Sequence, residues 1–159
     1  MKHIVCTIVC LLSASSAFAA PKVTEIRLAD YPGYGPNGHL QSEFVFRADN
    51  SFYWVKGIGT EAVRQRYTLK AGEFQKLAES LDSQRFFALK PYYPVGPMIT
   101  DVPKFVVSAT RDGQKTEVTY NYNNRPNSQP FNLWTIEKVL RGVALQTTRQ
   151  ESPPSQTTN

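Results

Sequence analysis

The sequence predicts an α+β fold of two layers, in which two helices pack on one face of an antiparallel sheet built from hairpins. The segments 43–57 and 104–122 each contain two runs of alternating side chains around a turn signal, which indicates hairpins. In 71–89 and 131–145, apolar residues recur at three- and four-residue spacing, which is typical of helices with one buried face. Strands that arrive in antiparallel pairs leave both helices free to cover one face of the sheet.

The first half of the domain is predicted to contribute four strands. VTEIRLAD (23–30) alternates weakly and carries charged residues, which we interpret as an edge strand. EFVFRADNSFYWVKG (43–57) has aromatic strands on both sides of Asp49-Asn50, a turn signal. EAVRQRYTL (61–69) alternates again. We expect one basic, solvated side in this strand, formed by Arg64, Arg66 and Thr68, opposite Val63, Gln65 and Tyr67.

Two helices are predicted from their apolar spacing. In AGEFQKLAESLDSQRFFAL (71–89) the buried face comprises Phe74, Leu77, Ala78 and Leu81. Gly72, placed in the first turn, is expected to cost about 1 kcal/mol relative to alanine. In FNLWTIEKVLRGVAL (131–145) the stripe comprises Leu133, Ile136, Val139, Leu140 and Val143. The residues from 146 to 159 have no aromatic and almost no aliphatic side chain, so we expect a disordered tail.

The segment between the helices is predicted to contain a loop and a second hairpin. PYYPVGPMITDVP (91–103) has four prolines, which preclude a regular element. KFVVSAT (104–110) and KTEVTYNY (115–122) alternate on either side of an Asp112-Gly113 pair, a strong signal for a tight hairpin turn.

The N-terminus has the three-part layout of a secretory signal peptide. Lys2 supplies a positive charge, residues 4–12 are apolar apart from one threonine, and Ala17-Phe18-Ala19 matches an A-x-A cleavage motif. The apolar run is too short to span a bilayer as a helix. We therefore expect a signal peptide at 1–19 and a single α+β domain at 20–145, exported to the periplasm or the extracellular space with no integral membrane segment.

Composition limits the chemistry of the exported domain. Cys6 and Cys10 lie within the signal peptide, so the mature chain would have neither disulfides nor thiolate ligands. His3 would be lost as well, which leaves His39 as the single histidine. We therefore predict no metal site of the zinc type, and no motif in the sequence indicates a cofactor.

The charge pattern bears on the class of partner. The formal net charge is +5, but lysine and arginine are spread along the chain without the basic runs that mark nucleic-acid binding. A mild positive charge suits contact with anionic surfaces, and it is also common in exported domains without such a role. We expect no nucleic acid as partner and consider an envelope protein, a peptide or a glycan.

The segment YPGYGPNGHL (31–40) contains a glycine fingerprint that could be mistaken for a dinucleotide-binding motif. Gly33, Gly35 and Gly38 spell G-x-G-x-x-G, which binds dinucleotides when it follows a buried strand and opens a helix. Here the following residues, HLQSEFVFR, have the period of a strand. We interpret the segment as a turn-rich loop between two strands.

Several short motifs together resemble those of a known bacterial family. They are a Gly-x-Gly-Pro segment at 33–36, a hairpin at 44–57, a strand-to-helix junction at 67–81, Tyr92 or Tyr93 followed by Asp101-Val102-Pro103, and Arg111-Asp112-Gly113. With these motifs the core from Ile26 to about Leu145 resembles the exported family known as domain of unknown function 6438. The resemblance implies a fold and an exported setting without a known activity. Many members have cysteines near the Gly-Pro segment, whereas this chain has Gly35 at one such position, so any role of those cysteines is absent.

Catalytic groups are sparse. A serine triad would have to combine His39 with Ser42 or Ser108, and no G-x-S-x-G motif is present. Paired carboxylates of the kind used in glycoside hydrolysis could be drawn from Glu43, Asp49, Glu61 and Asp101, but the sequence does not single out two of them.

Five residues are the candidates for binding. Asp101 precedes Val102-Pro103 and either caps its own loop or provides an anion to a site framed by Tyr92, Tyr93 and Met98. Arg64 and Arg66 either bind an anionic partner or form a solvated strand face.

Three functions are compatible with these residues. The first is a non-catalytic binding module of the cell envelope, which uses its sheet face or the 91–103 loop. The alternative is a carboxylate-dependent hydrolase that acts on an envelope glycan or peptide. The third is an architectural domain. The absence of a recognisable catalytic constellation favours the binding module.

Overall fold

The computed structural model describes residues 22–31, 41–57, 62–93, 103–121 and 131–151 of the 159-residue chain. The predicted signal peptide, the glycine fingerprint and most of the 91–103 loop lie outside these residues. The strands are β1 (Val23–Tyr31), β2 (Ser42–Arg47), β3 (Ser51–Lys56), β4 (Val63–Thr68), β5 (Tyr92–Tyr93), β6 (Lys104–Arg111) and β7 (Gln114–Asn121). The α-helices are α1 (Glu73–Ser83) and α2 (Phe131–Glu151), and a short 3₁₀ helix spans Phe86–Ala88.

The described strands form one seven-stranded sheet in the order β4-β3-β2-β1-β6-β7-β5. The α+β class is confirmed, and the prediction of an antiparallel sheet built from hairpins is correct in part, because the sheet is mixed and β5 is parallel to β7. β5 forms where the chain passes beside β7 after the 3₁₀ helix. The backbone N–H of Thr119 donates to the carbonyl of Pro91 at 2.9 Å. Proline cannot donate a backbone hydrogen bond, but it can accept one, so the proline-rich segment still begins with a short strand.

β1 lies at the centre of the sheet, between β2 and β6, so its interpretation as an edge strand is wrong. Ile26 and Leu28 are fully buried on the side that faces the helices. Glu25 and Arg27 point to the other side, where their side chains form an ion pair at 2.6 Å. A central strand of a sheet with only one covered face keeps an alternation of polar and apolar residues, and this pattern resembles that of an edge strand.

Both predicted hairpins are present, and their turns have the geometry that their residues favour. In the β6–β7 turn Asp112 and Gly113 both have positive φ, 50° and 79°. This is a type I′ turn, whose twist matches that of the flanking strands. In the longer β2–β3 turn the N–H of Asn50 donates to the carbonyl of Arg47 at 3.0 Å, and Asn50 itself is left-handed, with φ 62°.

α1 buries the four residues that its spacing predicted, Phe74, Leu77, Ala78 and Leu81. Gly72 does not lie in the first turn as predicted. It precedes the helix with a left-handed φ of 80°, so glycine is favoured there and the expected helix cost does not arise. The N–H of Lys70 donates to Glu73 Oε2 at 2.7 Å, and the N–H of Glu73 donates to the Lys70 carbonyl at 3.0 Å, which fixes the start of the helix.

α2 extends six residues further than predicted, to Glu151. The prediction of disorder is therefore wrong for 146–151, while 152–159 lie outside the described residues. Thr147 and Thr148 are buried, at 5% and 7% exposure. Their hydroxyls donate to helix carbonyls three or four residues earlier, at 2.9 and 3.1 Å. Threonine can thus occupy the buried side of a helix because its hydroxyl is satisfied within the helix.

The two faces of the sheet are chemically different. One face forms a single buried cluster with the apolar sides of both helices, and it includes Phe44, Phe46, Phe52 and Tyr120. Phe46 and Phe52 stack at 4.9 Å between ring centroids. Both described helices pack on this face, as predicted. We call the opposite face the open face; it carries Glu25, Arg27, Glu43, Arg47, Tyr53, Arg64 and Arg66.

Candidate functional site

The predicted binding residues fall in separate places. Arg64 and Arg66 lie on β4, at one edge of the sheet, and Tyr92 and Tyr93 form β5, at the other edge. Asp101 lies outside the described residues. The structure therefore does not bring the arginines and the tyrosines into one site.

The two tyrosines of β5 have different surroundings. Tyr93 packs against the core, and its hydroxyl accepts the backbone N–H of Lys90 at 3.1 Å. Tyr92 is 52% exposed, and the Nδ2 atom of Asn121 donates to its hydroxyl at 3.5 Å. Tyr93 therefore holds the chain before β5 against the core, and of the two tyrosines Tyr92 is the one that offers its ring to a ligand.

Three arginines surround one tyrosine ring on the open face. The Cζ atoms of Arg64, Arg47 and Arg66 lie 4.0, 5.1 and 5.9 Å from the centroid of the Tyr53 ring. A guanidinium at such distances is attracted to the electron-rich face of the ring. We call these four residues the arginine cluster.

The register of the strands produces the arginine cluster. Tyr53 pairs directly with Arg66 of β4 and with Val45 of β2. Directly paired residues share a face of the sheet, and so do residues two positions apart, so Arg64 also lies beside the ring. The alternation in 61–69 predicted which side of β4 is basic. It could not predict the tyrosine, because that required knowing how β3 and β4 align.

Glutamates neutralise the arginines further inside the open face. Glu25 binds Arg27 at 2.6 Å and Arg47 at 3.0 Å, and Glu43 binds Arg27 at 3.3 Å. Burial alone would raise the pKa of Glu25, but the hydrogen bonds and charges of Arg27 and Arg47 outweigh burial and lower this pKa. Arg27 and Arg47 are thus engaged within the protein.

Arg64 and Arg66 differ from Arg27 and Arg47 in their ion pairs. No ion pair joins either of them to a carboxylate of the described residues, and both side chains are exposed. Asp49, in the β2–β3 turn, accepts hydrogen bonds from the hydroxyl and the N–H of Ser51 at 2.6 and 2.9 Å. These bonds lower the pKa of Asp49, and the charges of Arg47 and Arg66 contribute less. The two arginines of β4 therefore present positive charge to an incoming anion.

A second polar group, which the sequence did not predict, lies between α2 and β1. The guanidinium of Arg141 donates to both carboxylate oxygens of Asp30, at 2.6 and 3.0 Å, and to Glu137 Oε1 at 2.7 Å. The hydroxyl of Tyr120 donates to Glu137 Oε2 at 2.8 Å, and that of Ser42 donates to Asp30 Oδ2 at 3.0 Å. We call these five residues the Arg141 cluster.

The Arg141 cluster is satisfied internally. All four carboxylate oxygens of Asp30 and Glu137 accept hydrogen bonds from other members. Burial opposes the charge of Arg141, but hydrogen bonds to the two carboxylates outweigh it and raise the pKa of Arg141. Burial, and then the negative charge of Glu137, raise the pKa of Tyr120. The cluster therefore fixes α2 on the sheet, and its carboxylates are already occupied by protein donors.

Four strands begin or end at the end of the sheet that carries the Arg141 cluster. β1 ends at Tyr31, β2 begins at Ser42, β6 begins at Lys104 and β7 ends at Asn121. The register pairs Asp30 with Ser42, Tyr31 with Lys104 and Lys104 with Asn121. Binding residues are often carried by connections at one end of a rigid sheet.

Glu43 and Asp49 are the two described residues among the four candidates for a hydrolytic pair. Glu43 lies near the start of β2 and Asp49 lies beyond its end. At a rise of about 3.3 Å per residue their backbones are separated by roughly 13 Å or more, which does not favour the carboxyl separation of about 5–9.5 Å that glycosidases use. Glu61 and Asp101, the other two candidates, lie outside the described residues.

A groove of about 480 Å³ lies at the opposite end of the sheet from the Arg141 cluster. Its lining includes Lys22, Asn50, Gln75, Glu79 and Asp82. Asp82 is already paired with Arg111. The lining mixes both charges with amides, so it indicates no particular class of ligand, and none of the predicted binding residues contributes to it.

The described ranges show neither a metal-binding group nor a membrane-spanning helix. In these ranges no group of three or more histidine, cysteine, aspartate or glutamate side chains is arranged to hold a metal ion. None of the helices within them is sufficiently long and apolar to cross a membrane.

Comparison of the chain with models of known protein families gives no match, and comparison with curated proteins gives no match either. The resemblance to the domain of unknown function 6438 family therefore stays a prediction, and the arginine cluster has to be judged on its own geometry.

Proposed function

We propose that this chain is an exported, non-catalytic binding module of the cell envelope, which binds an anionic partner through the arginine cluster. The observation that carries the proposal is the convergence of Arg47, Arg64 and Arg66 on Tyr53, on the face of the sheet that the described helices leave open. Arg64 and Arg66 have no carboxylate partner among the described residues, so an anion that binds them displaces no internal ion pair seen there.

The geometry of the cluster suits recognition of carboxylate or phosphate groups. A guanidinium presents a planar set of donors that matches two oxygens of such a group. Contact with the Tyr53 ring restricts the arginine side chains before a ligand arrives, which lowers the entropy lost on binding. Because Arg64 lies 4.0 Å from the ring centroid, the tyrosine positions the arginine and is less accessible for stacking on a sugar ring.

The experiment is a binding titration of the chain without its predicted signal peptide. The probes are labelled poly-glutamate, poly-galacturonate and neutral dextran. The double variant Arg64→Ala/Arg66→Ala is compared with Lys76→Ala/Arg149→Ala, which removes the same charge from exposed positions on the helices. We expect at least one polyanion to bind, with affinity reduced about tenfold or more in the first variant and less than about threefold in the second, since hydrogen bonds between charged groups contribute about 1.5–3 kcal/mol each.

Two results would contradict the proposal. One is equal loss of affinity in both double variants, because binding would then follow total charge instead of the cluster. The other is the absence of binding to either polyanion at an ionic strength of about 0.05 M, where charge interactions are weakly screened.

A further inference from the structure

Among the described strands, β4 lies at an edge of the sheet and is long enough to pair with a further strand. It has six residues, five of them exposed, and it pairs with β3 in a continuous register. It contains no proline within Val63–Thr68. The opposite edge strand, β5, has two residues. Sheet edges are commonly protected by shortness, proline, bulges or charged side chains, and of these devices β4 has the charged side chains of Arg64 and Arg66.

The outward-pointing backbone groups of β4 can be assigned from one hydrogen bond. The N–H of Leu69 donates to the carbonyl of Asn50 at 2.8 Å, towards β3. In an antiparallel ladder the inward direction alternates along the strand. The backbone groups of Gln65 and Tyr67 therefore point to β3, and those of Arg64 and Arg66 point away from it. The two residues whose side chains belong to the arginine cluster also have their N–H and C=O groups on the open edge.

Because Arg64 and Arg66 offer both their guanidinium groups and their backbone groups, we infer that β4 binds an extended acidic peptide as an additional antiparallel strand. This inference rests on the proposed function. Peptide residues directly opposite Arg64 and Arg66 exchange backbone hydrogen bonds with them. The side chains of directly opposite residues share a face. Aspartate or glutamate at alternate positions of the peptide would therefore meet the two guanidinium groups, while the edge supplies hydrogen bonds that do not depend on the peptide sequence.

The chemistry of the edge favours a peptide over other anions. The edge presents donors and acceptors in alternation at the spacing of a strand, and a glycan or a phosphate does not match such a row. The arginines also select among peptides, because a basic strand would be repelled. A second copy of β4 paired antiparallel would bring arginines against arginines, so self-association through this edge is disfavoured.

The test uses peptides that differ in backbone but not in charge. The reference is an alternating Thr-Glu peptide of about eight residues, with equal numbers of threonine and glutamate, long enough to span β4. Two versions carry the same number of N-methyl groups, one on every glutamate and the other on every threonine. In antiparallel addition the amides of the glutamates that face the arginines point to β4. We expect glutamate N-methylation to reduce affinity about tenfold or more and threonine N-methylation to change it less than about threefold.

A fourth peptide has the same composition with its glutamates in one block, and we expect it to bind about threefold or more weakly, since fewer carboxylates then face the arginines. If all four peptides bind with equal affinity and none binds the Arg64→Ala/Arg66→Ala variant, strand addition is overturned. The arginine cluster would then still be an anion-binding site. Loss on threonine N-methylation instead would overturn the antiparallel arrangement. Affinity that survives the arginine substitutions would count against the proposed function itself.

Discussion

Tyr120 combines full burial with a titratable hydroxyl. Its ring lies in the core, stacked on Phe105 at 5.4 Å between centroids, and its hydroxyl donates to Glu137. Burial and the charge of Glu137 raise its pKa, so the folded protein holds this proton more tightly than the unfolded chain. The stabilisation is complete below the unfolded pKa of about 10 and decreases as the pH rises above it, because the unfolded chain then binds fewer protons than the folded one.

We predict that Tyr120→Phe lowers the free energy of unfolding by about 1–3 kcal/mol at neutral pH, because Glu137 Oε2 loses its donor. Above about pH 10 the wild type should lose about 1.4 kcal/mol more per pH unit than the variant, since the variant has no hydroxyl to ionise. Urea titrations at several pH values between about 7 and 11 measure both effects. Tyr92→Phe, at an exposed position, is the control and should keep the wild-type slope; a wild-type slope in Tyr120→Phe would refute the argument.

Individual side chains were predicted where a local pattern decides their direction. The alternation in 61–69 correctly placed Arg64 and Arg66 on an exposed side, because the strand period is strict. The contact between Asp30 and Arg141 joins residues 111 positions apart, and no local pattern reports it. The position of Asp30 did indicate such a contact. Asp30 continues the core-facing alternation of Ile26 and Leu28, and a carboxylate on that side needs a polar partner within the fold.

At the level of elements, turn chemistry and helix spacing were sufficient to predict both hairpins and the buried face of α1. The position of β1 in the sheet and the end of α2 were predicted wrongly for one shared reason. The status of β1 depends on its neighbours, and the length of α2 depends on the surface on which its last turns pack. Thr147 and Thr148 are polar in the sequence and buried in the structure. Tertiary contacts therefore override the composition that indicated a disordered tail.

Two glycines should respond to alanine in opposite ways. Gly113 has φ 79° in the β6–β7 turn, where a side chain is strained, so Gly113→Ala should destabilise the protein by about 1 kcal/mol. Gly142 is exposed within α2, and an added Cβ meets nothing within 4 Å, so Gly142→Ala should stabilise it by about 0.5–1 kcal/mol. Thermal or urea unfolding of both variants checks the signs. Stability changes of the same sign in both variants would mean that the backbone conformation at Gly113 or Gly142 is not the one described.

The order of the strands decides what the molecule can do as a whole. It places Arg64 and Arg66 at one edge and Tyr92 and Tyr93 at the other, so candidates that looked equivalent in sequence occupy separate surfaces. It also joins β1 to β6, which unites the two hairpins in one sheet, and the described helices cover one face of that sheet. Sequence patterns describe individual strands and adjacent pairs. They do not fix the pairing of β1 with β6, because many residues separate those two strands in the chain.

Native-state hydrogen exchange tests this order and the accessibility of the β4 edge together. We predict that central amides of β1 and β6 are among the slowest to exchange, because these strands lie in the middle of the sheet and are paired on both sides. Within β4 the amides of Gln65 and Tyr67, directed to β3, should exchange about tenfold or more slowly than those of Arg64 and Arg66. Equal protection along β4 would mean that another segment covers the edge, and strand addition would lose its basis. Alternating protection that becomes uniform when the acidic peptide is added would show that the peptide takes up the hydrogen bonds which the edge leaves open.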